Sequence, residues 1–400
     1  MSLLTLPRKL IFIALLLNLA LILERSAEAT PLLALREADN CAGCHNPGRS
    51  QKPFFERRCS LDCQGCHIDP GGGGARNQWG AYYGLDQSSF VHFMKPIDPL
   101  QDTSRFDLHY DGRFMQWSKE DGMNHSFPMG QEFTLRVRPF VRYLHLTYVA
   151  QYLGRIDDEM FRVATTGDRR FREKYSVMVD NLPLAFYARA ARGTPMYGIK
   201  RPNHSLWIRQ RVGLDQYATT DSYEFGLTPN VPFFRYSIME GDPYVEEEYR
   251  QKGTSYHAGM RGVTLAWHIN SSGWETESDF HAINMKAAGI GASIFKTVLY
   301  AERNWRKVEE KAGIPANSTL NIYPSSTITE YSIAFAQIRG LSVGLLKEFY
   351  EDDSIYSERS NLFVDIHPIP GLQLEFWSRQ ETGARNFKDS LALMHLYYDW

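Results

Sequence analysis

Cysteine is absent from most of this 400-residue chain: all five cysteines lie between positions 41 and 66, and none follows Cys66. A fold held together by disulfides would distribute its cysteines along the sequence, so a disulfide-dense scaffold is excluded. Net charge is also nearly absent, at −2, which gives no basis for binding nucleic acid or an anionic surface. Cysteine chemistry is therefore expected only near the N-terminus.

Long apolar runs are missing too, apart from Leu10–Leu23. The mean hydropathy is −0.38, and no later run of 18 apolar residues exists, which excludes a helical membrane protein. Leu10–Leu23 follows Arg8 and Lys9 and precedes Ala27-Glu28-Ala29, a small-x-small site. This pattern predicts a cleaved signal peptide over residues 1–29. The alternative is a membrane anchor, but the run is shorter than the about 20 apolar residues that span a bilayer.

Two Cys-x-x-Cys-His motifs stand close together, at Cys41–His45 and Cys63–His67. In an exported chain this motif is typical of c-type haem attachment, because two thiols spaced by two residues reach both vinyl groups of one haem and the adjacent histidine lies under the iron. A zinc site is the alternative, but thiolates are hard to keep reduced after export. The prediction is two covalently bound haem c groups, with cofactor-binding residues Cys41, Cys44, His45, Cys63, Cys66 and His67.

The axial ligands of the iron follow only in part from these motifs. His45 and His67 are the predicted proximal ligands, and His92 and His109 are the predicted distal ligands if both haems are bis-histidine. Any lone histidine is more often packed or solvated than a ligand. Arg76 follows four glycines and is a candidate partner for a haem propionate, with a flexible loop as the alternative.

From about residue 100 onward the sequence alternates between apolar and polar residues, which predicts β-strands. In the stretch 135–143, Leu135, Val137, Pro139, Val141 and Tyr143 alternate with Arg136, Arg138, Phe140 and Arg142. Aromatic residues make up 13 % of the chain, as in proteins with aromatic girdles at a membrane surface. The predicted fold is all-β: a transmembrane antiparallel up-and-down β-barrel of about 16 strands over residues 101–400. A soluble β-sandwich is the alternative.

The predicted strands are about 9–11 residues long. Their predicted centres are residues 110, 138, 151, 177, 189, 224, 237, 262, 277, 289, 301, 333, 345, 364, 376 and 394. Tight turns are predicted at 182–184, 338–340 and 369–371, and long polar connections at 240–255 and 307–326. The stretch 195–220 is ambiguous. The last predicted strand places Ala392, Met394, Leu396, Tyr398 and Trp400 on one face, and its terminal aromatic resembles the signal read by the outer-membrane assembly machinery.

The two regions together suggest a function. Residues 30–100 are predicted to form a mostly irregular diheme segment, too short for two ordinary cytochrome domains. A 16-stranded barrel has a lumen that such a segment can enter. Electrons cross lipid only through closely spaced redox centres, so the combination predicts an outer-membrane electron conduit. Lumen-facing Arg136, Arg138 and Arg142 are candidates to neutralise propionates, with an ordinary polar lining as the alternative.

The order of signal peptide, N-terminal Cys-x-x-Cys-His and C-terminal barrel resembles the fused outer-membrane cytochrome–porins of iron-oxidising bacteria. That resemblance implies an extracellular metal or other redox partner, a periplasmic cytochrome or other electron carrier, possible metal oxidoreductase activity, and residence in the outer membrane of a Gram-negative bacterium. The family typically carries one haem motif, and this chain carries two. The remaining hypotheses are a porin with a redox-active haem plug and a periplasmic diheme enzyme with a soluble β domain.

Overall fold

A computed structural model describes residues 67, 69–70, 76, 89–91, 105–140, 143–153, 171–199, 203, 205–214, 218–229, 231–262, 266–311, 324–336, 338–384 and 386–399. No helix within these ranges is long and apolar enough to cross a membrane. The one α-helix among them is α1 (Trp207–Gln210). The strands are β1 (Phe106–Lys119), β2 (Asn124–Phe140), β3 (Leu144–Leu153), β4 (Phe171–Leu182), β5 (Phe186–Gly193), β6 (Thr220–Leu227), β7 (Pro232–Gly241), β8 (Lys252–Gly262), β9 (Trp267–Glu277), β10 (His281–Ile294), β11 (Thr297–Glu310), β12 (Ser326–Phe335), β13 (Leu341–Asp352), β14 (Tyr356–Ile369), β15 (Leu372–Gly383) and β16 (Phe387–Asp399).

These strands form one closed antiparallel barrel, in which each strand pairs with the next along the chain and β16 pairs with β1. The closing pair runs in register from His109 opposite Asp399 to Lys119 opposite Asp389. Closure leaves no sheet edge with unpaired backbone groups, which is the condition for a sheet to span lipid. The predicted up-and-down barrel of about 16 strands is confirmed, and each predicted strand centre lies within a strand.

The connections divide the barrel into two ends. At one end, here called the short-turn end, the connections are 141–143, 183–185, 228–231, 263–266, 295–296, 336–340 and 370–371, and β1 begins and β16 ends there. At the opposite end, the long-loop end, the connections 154–170, 194–219, 242–251 and 311–325 are long, whereas 120–123, 278–280, 353–355 and 384–386 are short. The three predicted tight turns are confirmed, but long connections do not alternate strictly with short ones.

Several strands are longer than the predicted 9–11 residues. β2 has 17 residues, and β11 continues to Glu310, into the stretch predicted to be a polar connection. The apolar pattern marks only the part of a strand that faces lipid. Beyond that band both faces are polar, so the sequence pattern ends before the strand does.

The two faces of the sheet have opposite chemistry. In β15, Phe376 on the outer face is 46 % exposed, whereas Glu375 and Arg379 on the inner face are buried. The same contrast holds around the wall, where arginine, glutamate, histidine, asparagine and serine side chains are buried inside while leucine, isoleucine, valine and aromatic side chains are exposed outside. This is the reverse of a water-soluble protein and argues against the β-sandwich alternative.

Exposed aromatic side chains gather near both ends of the outer face. The short-turn end carries Phe106, Phe140, Phe295 and Phe335, and the long-loop end carries Tyr152, Phe171, Trp305 and Tyr356. Such paired girdles mark the two lipid–water interfaces of a membrane barrel. Phe140 was predicted to share a face with Arg136 and Arg138. It is 68 % exposed instead, because the register between β2 and β3 shifts between Val137 and Phe140.

Glycines opposite aromatic residues let neighbouring strands pack closely. The cross-strand pairs are Tyr187 with Gly226, Phe233 with Gly259, Tyr256 with Gly273, Gly262 with Trp267, and Gly344 with Phe363. In each pair, a Cβ added to the glycine would lie closer than 3 Å to the aromatic ring. The aromatic ring therefore covers the backbone of the glycine, a known way of pinning strand register.

Replacing Gly344 by alanine is expected to lower the free energy of unfolding by about 1–3 kcal/mol, the usual cost of overpacking. The added Cβ would lie 2.4 Å from Phe363 Cζ and 2.6 Å from the backbone oxygen of Ile333, which cannot move without disturbing β12. The measurement is the midpoint of urea-induced unfolding in detergent micelles. Gly193→Ala is the matched control, because a Cβ there meets no atom within 4 Å. Equal midpoints for the two variants would contradict the prediction.

Candidate functional site

Most of the predicted haem-binding residues cannot be placed. Cys41, Cys44, His45, Cys63, Cys66 and His92 lie outside the described residues, as do the predicted signal peptide, Arg142 and Trp400. Of the predicted iron ligands, His67 and His109 are described. The predicted haem attachment therefore stays a prediction, and the candidate site consists of His67, its described neighbours and the inner wall of the barrel.

His67 and Arg76 form an antiparallel β-bridge, which brings the last residue of the second motif beside the arginine after the glycine run. Both side chains are buried, with 2 % of His67 and 4 % of Arg76 exposed. Four glycines, at positions 71–74, lie between the two residues in the sequence. The bridge pairs a predicted iron ligand with a cation.

Two contacts tie this bridged pair to the inner wall. The Oδ2 atom of Asp69 lies 2.8 Å from Nη1 of Arg189, an inward-facing residue of β5. The guanidinium of Arg76 lies over the ring of Tyr397 on β16, 5.6 Å from the ring centroid. Both Arg189 and Tyr397 are inward-facing residues, so Asp69 and the pair His67–Arg76 lie in the lumen.

The guanidinium of Arg76 is left with unmet hydrogen-bonding capacity. Its Nε, Nη1 and Nη2 atoms are buried and have no hydrogen-bond partner among the residues that the structure describes. The Tyr397 ring offers a cation–π contact but no acceptor atom in its face. A buried cation of this kind is costly unless an anion meets it. A carboxylate fits the five planar donors of arginine, so the residues present fit a haem propionate.

Residues 89–91 hold the same segment to the barrel at the short-turn end. The backbone N–H of Phe90 donates to the carbonyl of His367 at 2.9 Å, and that of Val91 donates to Pro368 at 3.3 Å. Gly340, in the turn before β13, has φ +72° and lies so close that a Cβ there would be 2.8 Å from the nitrogen of Phe90. A glycine is required at this turn both by its dihedral and by the approach of Phe90.

Three buried histidines line the wall near Arg76. They are His109 on β1, His395 on the adjacent β16 and His367 on β14, and each lies near the short-turn end of its strand. His395 Nδ1 is 2.8 Å from the hydroxyl of Tyr397, which donates to Oε1 of Gln373. His367 Nε2 lies 3.2 Å from Oδ2 of Asp365. Among the described residues, the predicted distal ligand His109 is thus one of three wall imidazoles near Arg76, beside that of His67.

Of the lumen-facing arginines predicted as propionate partners, Arg136 and Arg138 are among the described residues, whereas Arg142 is not. Both are buried on the inner face of β2, as predicted. Nε of Arg136 lies 2.8 Å from Oδ2 of Asp107, and Nε of Arg138 lies 3.4 Å from the same oxygen. Because a carboxylate already faces both guanidinium groups, Arg76 is the better candidate for a bound anion.

The ambiguous stretch 195–220 belongs to a connection that folds into the barrel. This connection, 194–219 between β5 and β6, is here called the lumen loop, and α1 is part of it. Its described residues include Tyr197, Leu206, Trp207, Val212 and Leu214, all at most 8 % exposed. Trp207, Val212 and Leu214 pack with Met285, Ile328 and Tyr350 of the wall in one apolar cluster.

Charged wall residues anchor the lumen loop through its backbone. The N–H of Ile199 donates to Glu302 at 2.7 Å, and Arg306 Nη1 donates to the carbonyl of Val212 at 2.6 Å. Glu348 on β13 accepts from the backbone N–H of Trp207 and also pairs with Arg359 at 2.6 Å. The loop leaves the wall at β5 and β6 but is held by β11 and β13, so it crosses the lumen.

Solved structures that resemble this chain include outer-membrane proteins. OmpT of Vibrio cholerae, folded in vitro, matches 74 % of this chain and 99 % of its own, with a TM-score of 0.51 and 10 % identity. Its loop L8 deletion mutant matches 73 % and 99 %, with a TM-score of 0.51 and 9 % identity. OccAB4 of Acinetobacter baumannii matches 75 % and 99 %, with a TM-score of 0.44 and 9 % identity. No protein-family model and no curated protein matches the sequence.

This chain has the fold of an outer-membrane β-barrel. At about 10 % identity, the likeness to OmpT supports the fold of this chain alone. It does not indicate what the protein transports or which reaction it takes part in. The outward apolar band, the aromatic girdles and the polar lumen agree with this fold.

Sequence reasoning missed the lumen loop and its anchors. The sequence feature that could have indicated this loop is Leu206-Trp207-Ile208, an apolar triplet inside a polar connection. Alternation alone cannot assign such a triplet to one face of a strand. Within the triplet, Trp207 contacts Glu348 of β13 and Arg359 of β14, which are far away in the sequence. Their proximity follows only from closing the barrel.

Replacing Glu348 by alanine is expected to mobilise the lumen loop and raise single-channel conductance in planar bilayers. The change removes the acceptor for the Trp207 N–H and leaves Arg359 without this carboxylate, a loss of about 3–5 kcal/mol for a buried pair. Glu358→Ala is the control, because Glu358 lies on the outer face, where it pairs with Lys347. Conductance equal to that of the unmodified chain would show that Glu348 does not hold the loop in place.

Proposed function

We propose that this chain is an outer-membrane diheme cytochrome that conducts electrons between a periplasmic carrier and an extracellular donor or acceptor. The observation that carries the proposal is the buried Arg76 guanidinium. It lies in the lumen beside His67, the last residue of a haem motif, and has no hydrogen-bond acceptor among the described residues. A cation so placed is explained by an anionic cofactor attached nearby.

Two haem c groups, attached at Cys41 and Cys44 and at Cys63 and Cys66, would supply one-electron redox chemistry. His45 and His67 would hold the irons from the proximal side, with His92 and His109 as the predicted distal ligands. The contacts of the described residues give this segment its position: Asp69 binds Arg189, Phe90 binds the end of β14, and Arg76 contacts Tyr397.

The barrel wall has two further roles in this proposal. Its outer face meets lipid over an apolar band of about 25 Å. Its polar inner face shields a charged cofactor from that lipid, which otherwise excludes ions at a cost of several kcal/mol. The segment that carries His67 contacts the short-turn end, which faces the periplasm in such barrels. A periplasmic cytochrome would therefore meet the protein at this end, and the extracellular partner would meet it at the long-loop end.

A porin with a redox-active plug is the second candidate, because the barrel is of a size that leaves a channel when empty. The lumen loop and the residues near Arg76 both lie inside the lumen, which leaves less room for passing solutes. A soluble diheme enzyme is disfavoured by the exposed apolar band of the outer face.

The test uses the full chain in proteoliposomes with a reduced dye inside and a ferric chelate outside. The unmodified chain is expected to bind two haems and to oxidise the internal dye. A Cys63→Ala/Cys66→Ala variant is expected to bind one haem and to lose most of the electron flux. Cys59→Ala is the matched control, because Cys59 is the cysteine outside both motifs, and it is expected to behave like the unmodified chain.

Unchanged electron flux in the double variant would reject the conduit. Solute flux that rises or falls with haem reduction would favour the redox-gated porin instead.

A second variant tests Arg76. Arg76→Gln is expected to keep the haem attached but to lower its reduction potential, because a nearby positive charge stabilises the reduced, more negative form. Arg303→Gln, on the outer face of β11, removes the same charge without touching the lumen. Equal reduction potentials in the two variants would show that the charge of Arg76 does not act on the haem.

A further inference from the structure

The hydrogen bonds around His395 determine which of its ring nitrogens carries the proton. Gln373 Nε2 donates to Oδ1 of Asp365 and to Oε1 of Glu375, each at 3.0 Å. Its Oε1 therefore remains as the acceptor, and the hydroxyl of Tyr397 donates to it. Because that hydroxyl has a single proton, it can only accept from His395.

Nδ1 of His395 therefore carries the proton and donates it to Tyr397, at 2.8 Å. The lone pair of the neutral imidazole is then on Nε2. Histidines that bind metals usually have this arrangement, with one nitrogen on the metal and the other donating to a fixed acceptor that orients the ring. His395 is 3 % exposed, so its ring is fixed by packing as well as by this chain of hydrogen bonds.

The same tyrosine connects His395 to the haem segment. Arg76 lies over the ring of Tyr397, and Arg76 is the bridge partner of His67. The nearby histidines on the wall differ from His395 in their contacts. His367 directs Nε2 to Oδ2 of Asp365 instead of leaving that nitrogen for a metal.

We propose that His395 is the distal ligand of the haem attached at the second motif, and that Tyr397 and Gln373 position it. This inference rests on the proposed function, since it requires the haem whose proximal ligand is His67. It assigns a ligand from the barrel wall, more than three hundred positions after His67 in the sequence, rather than from the cytochrome segment itself. Tyr397 and Gln373 are positioning residues because they act through the His395 ring.

The first test is the spin state of the ferric haems, measured by electron paramagnetic resonance on the purified full chain. In the unmodified chain the second haem is expected to be six-coordinate and low spin. In His395→Ala it is expected to become five-coordinate and high spin, while the chain still binds two haems. His281→Ala is the matched control, a buried histidine on β10 at the long-loop end, and is expected to leave the spectrum unchanged.

Two further variants separate ligation from folding. His395→Met is expected to keep the haem six-coordinate and to raise its reduction potential, because histidine–methionine ligation raises the potential above that of bis-histidine ligation. Tyr397→Phe retains the ring under Arg76 but removes the acceptor of Nδ1. It is expected to leave the haem low spin and to raise its potential, because the imidazole becomes a weaker donor to the iron. Slower gel migration of the heated than of the unheated sample verifies that each barrel is folded.

A His395→Ala variant that keeps both haems low spin, or a His395→Met variant with an unchanged potential, would overturn this assignment. A high-spin haem produced by His109→Ala but not by His395→Ala would overturn it in favour of His109. In all these cases the chain still binds two haems and the proposed function stands. An unmodified chain that binds no covalent haem would instead overturn the proposed function, and this inference with it.

Discussion

Backbone hydrogen bonding in lipid is the constraint on which the rest of this structure depends. A strand in a bilayer has no water to satisfy its N–H and C=O groups, so the sheet must close on itself. The pairing of β16 with β1 accomplishes this closure, from His109 opposite Asp399 to Lys119 opposite Asp389. Closure also creates an interior, and the alternation of side chains then assigns every second residue to it.

That interior is filled with charge, and buried charge requires partners. Asp107 forms ion pairs with Arg136 and Arg138, Glu348 with Arg359, and Asp389 with Arg379. Leaving any of these buried charges unpaired would cost several kcal/mol of stability. The charged groups of the wall therefore need polar partners, and a peptide segment inside the lumen can supply them. The lumen loop meets part of it with backbone groups, at Glu302, Glu348 and Arg306. The segment near His67 meets another part through Asp69, which pairs with Arg189.

The sequence predicts the barrel well because alternation is a local property. In β14 and β15, residues 361–367 and 373–379 face the sides that their period of two assigned, and the turn 369–371 between them is found. Strand ends are predicted less well, as in β11, because lipid contact and not strand structure produces the pattern. The lumen loop could not be predicted, since its apolar residues pack against strands up to about 150 positions away.

The candidate site shows the same division between local and distant information. The paired motifs are local, and they predict His45 and His67 as proximal ligands. The environment of His67 depends on β5, β14 and β16, so no reading of residues 30–100 finds Arg189, Tyr397 or His395. Arg76 depends on both local and distant information. Its position after the glycines suggested that it contacts a propionate, and its burial without a hydrogen bond among the described residues supports that prediction.

The segments that lie inside the lumen favour an electron conduit over a diffusion pore. A diffusion pore needs a continuous water-filled path, and the polar side chains that line it gain from remaining hydrated. Here the described residues of two segments lie inside, His67 and Arg76 at the short-turn end and the lumen loop held by β11 and β13. Ordering both segments costs conformational entropy, about 1–2 kcal/mol for each fixed residue, which a simple pore would not need to offset. An electron conduit gains from that ordering, because tunnelling demands fixed distances and because a rigidly held ligand, the role proposed for His395, fixes the reduction potential of a haem.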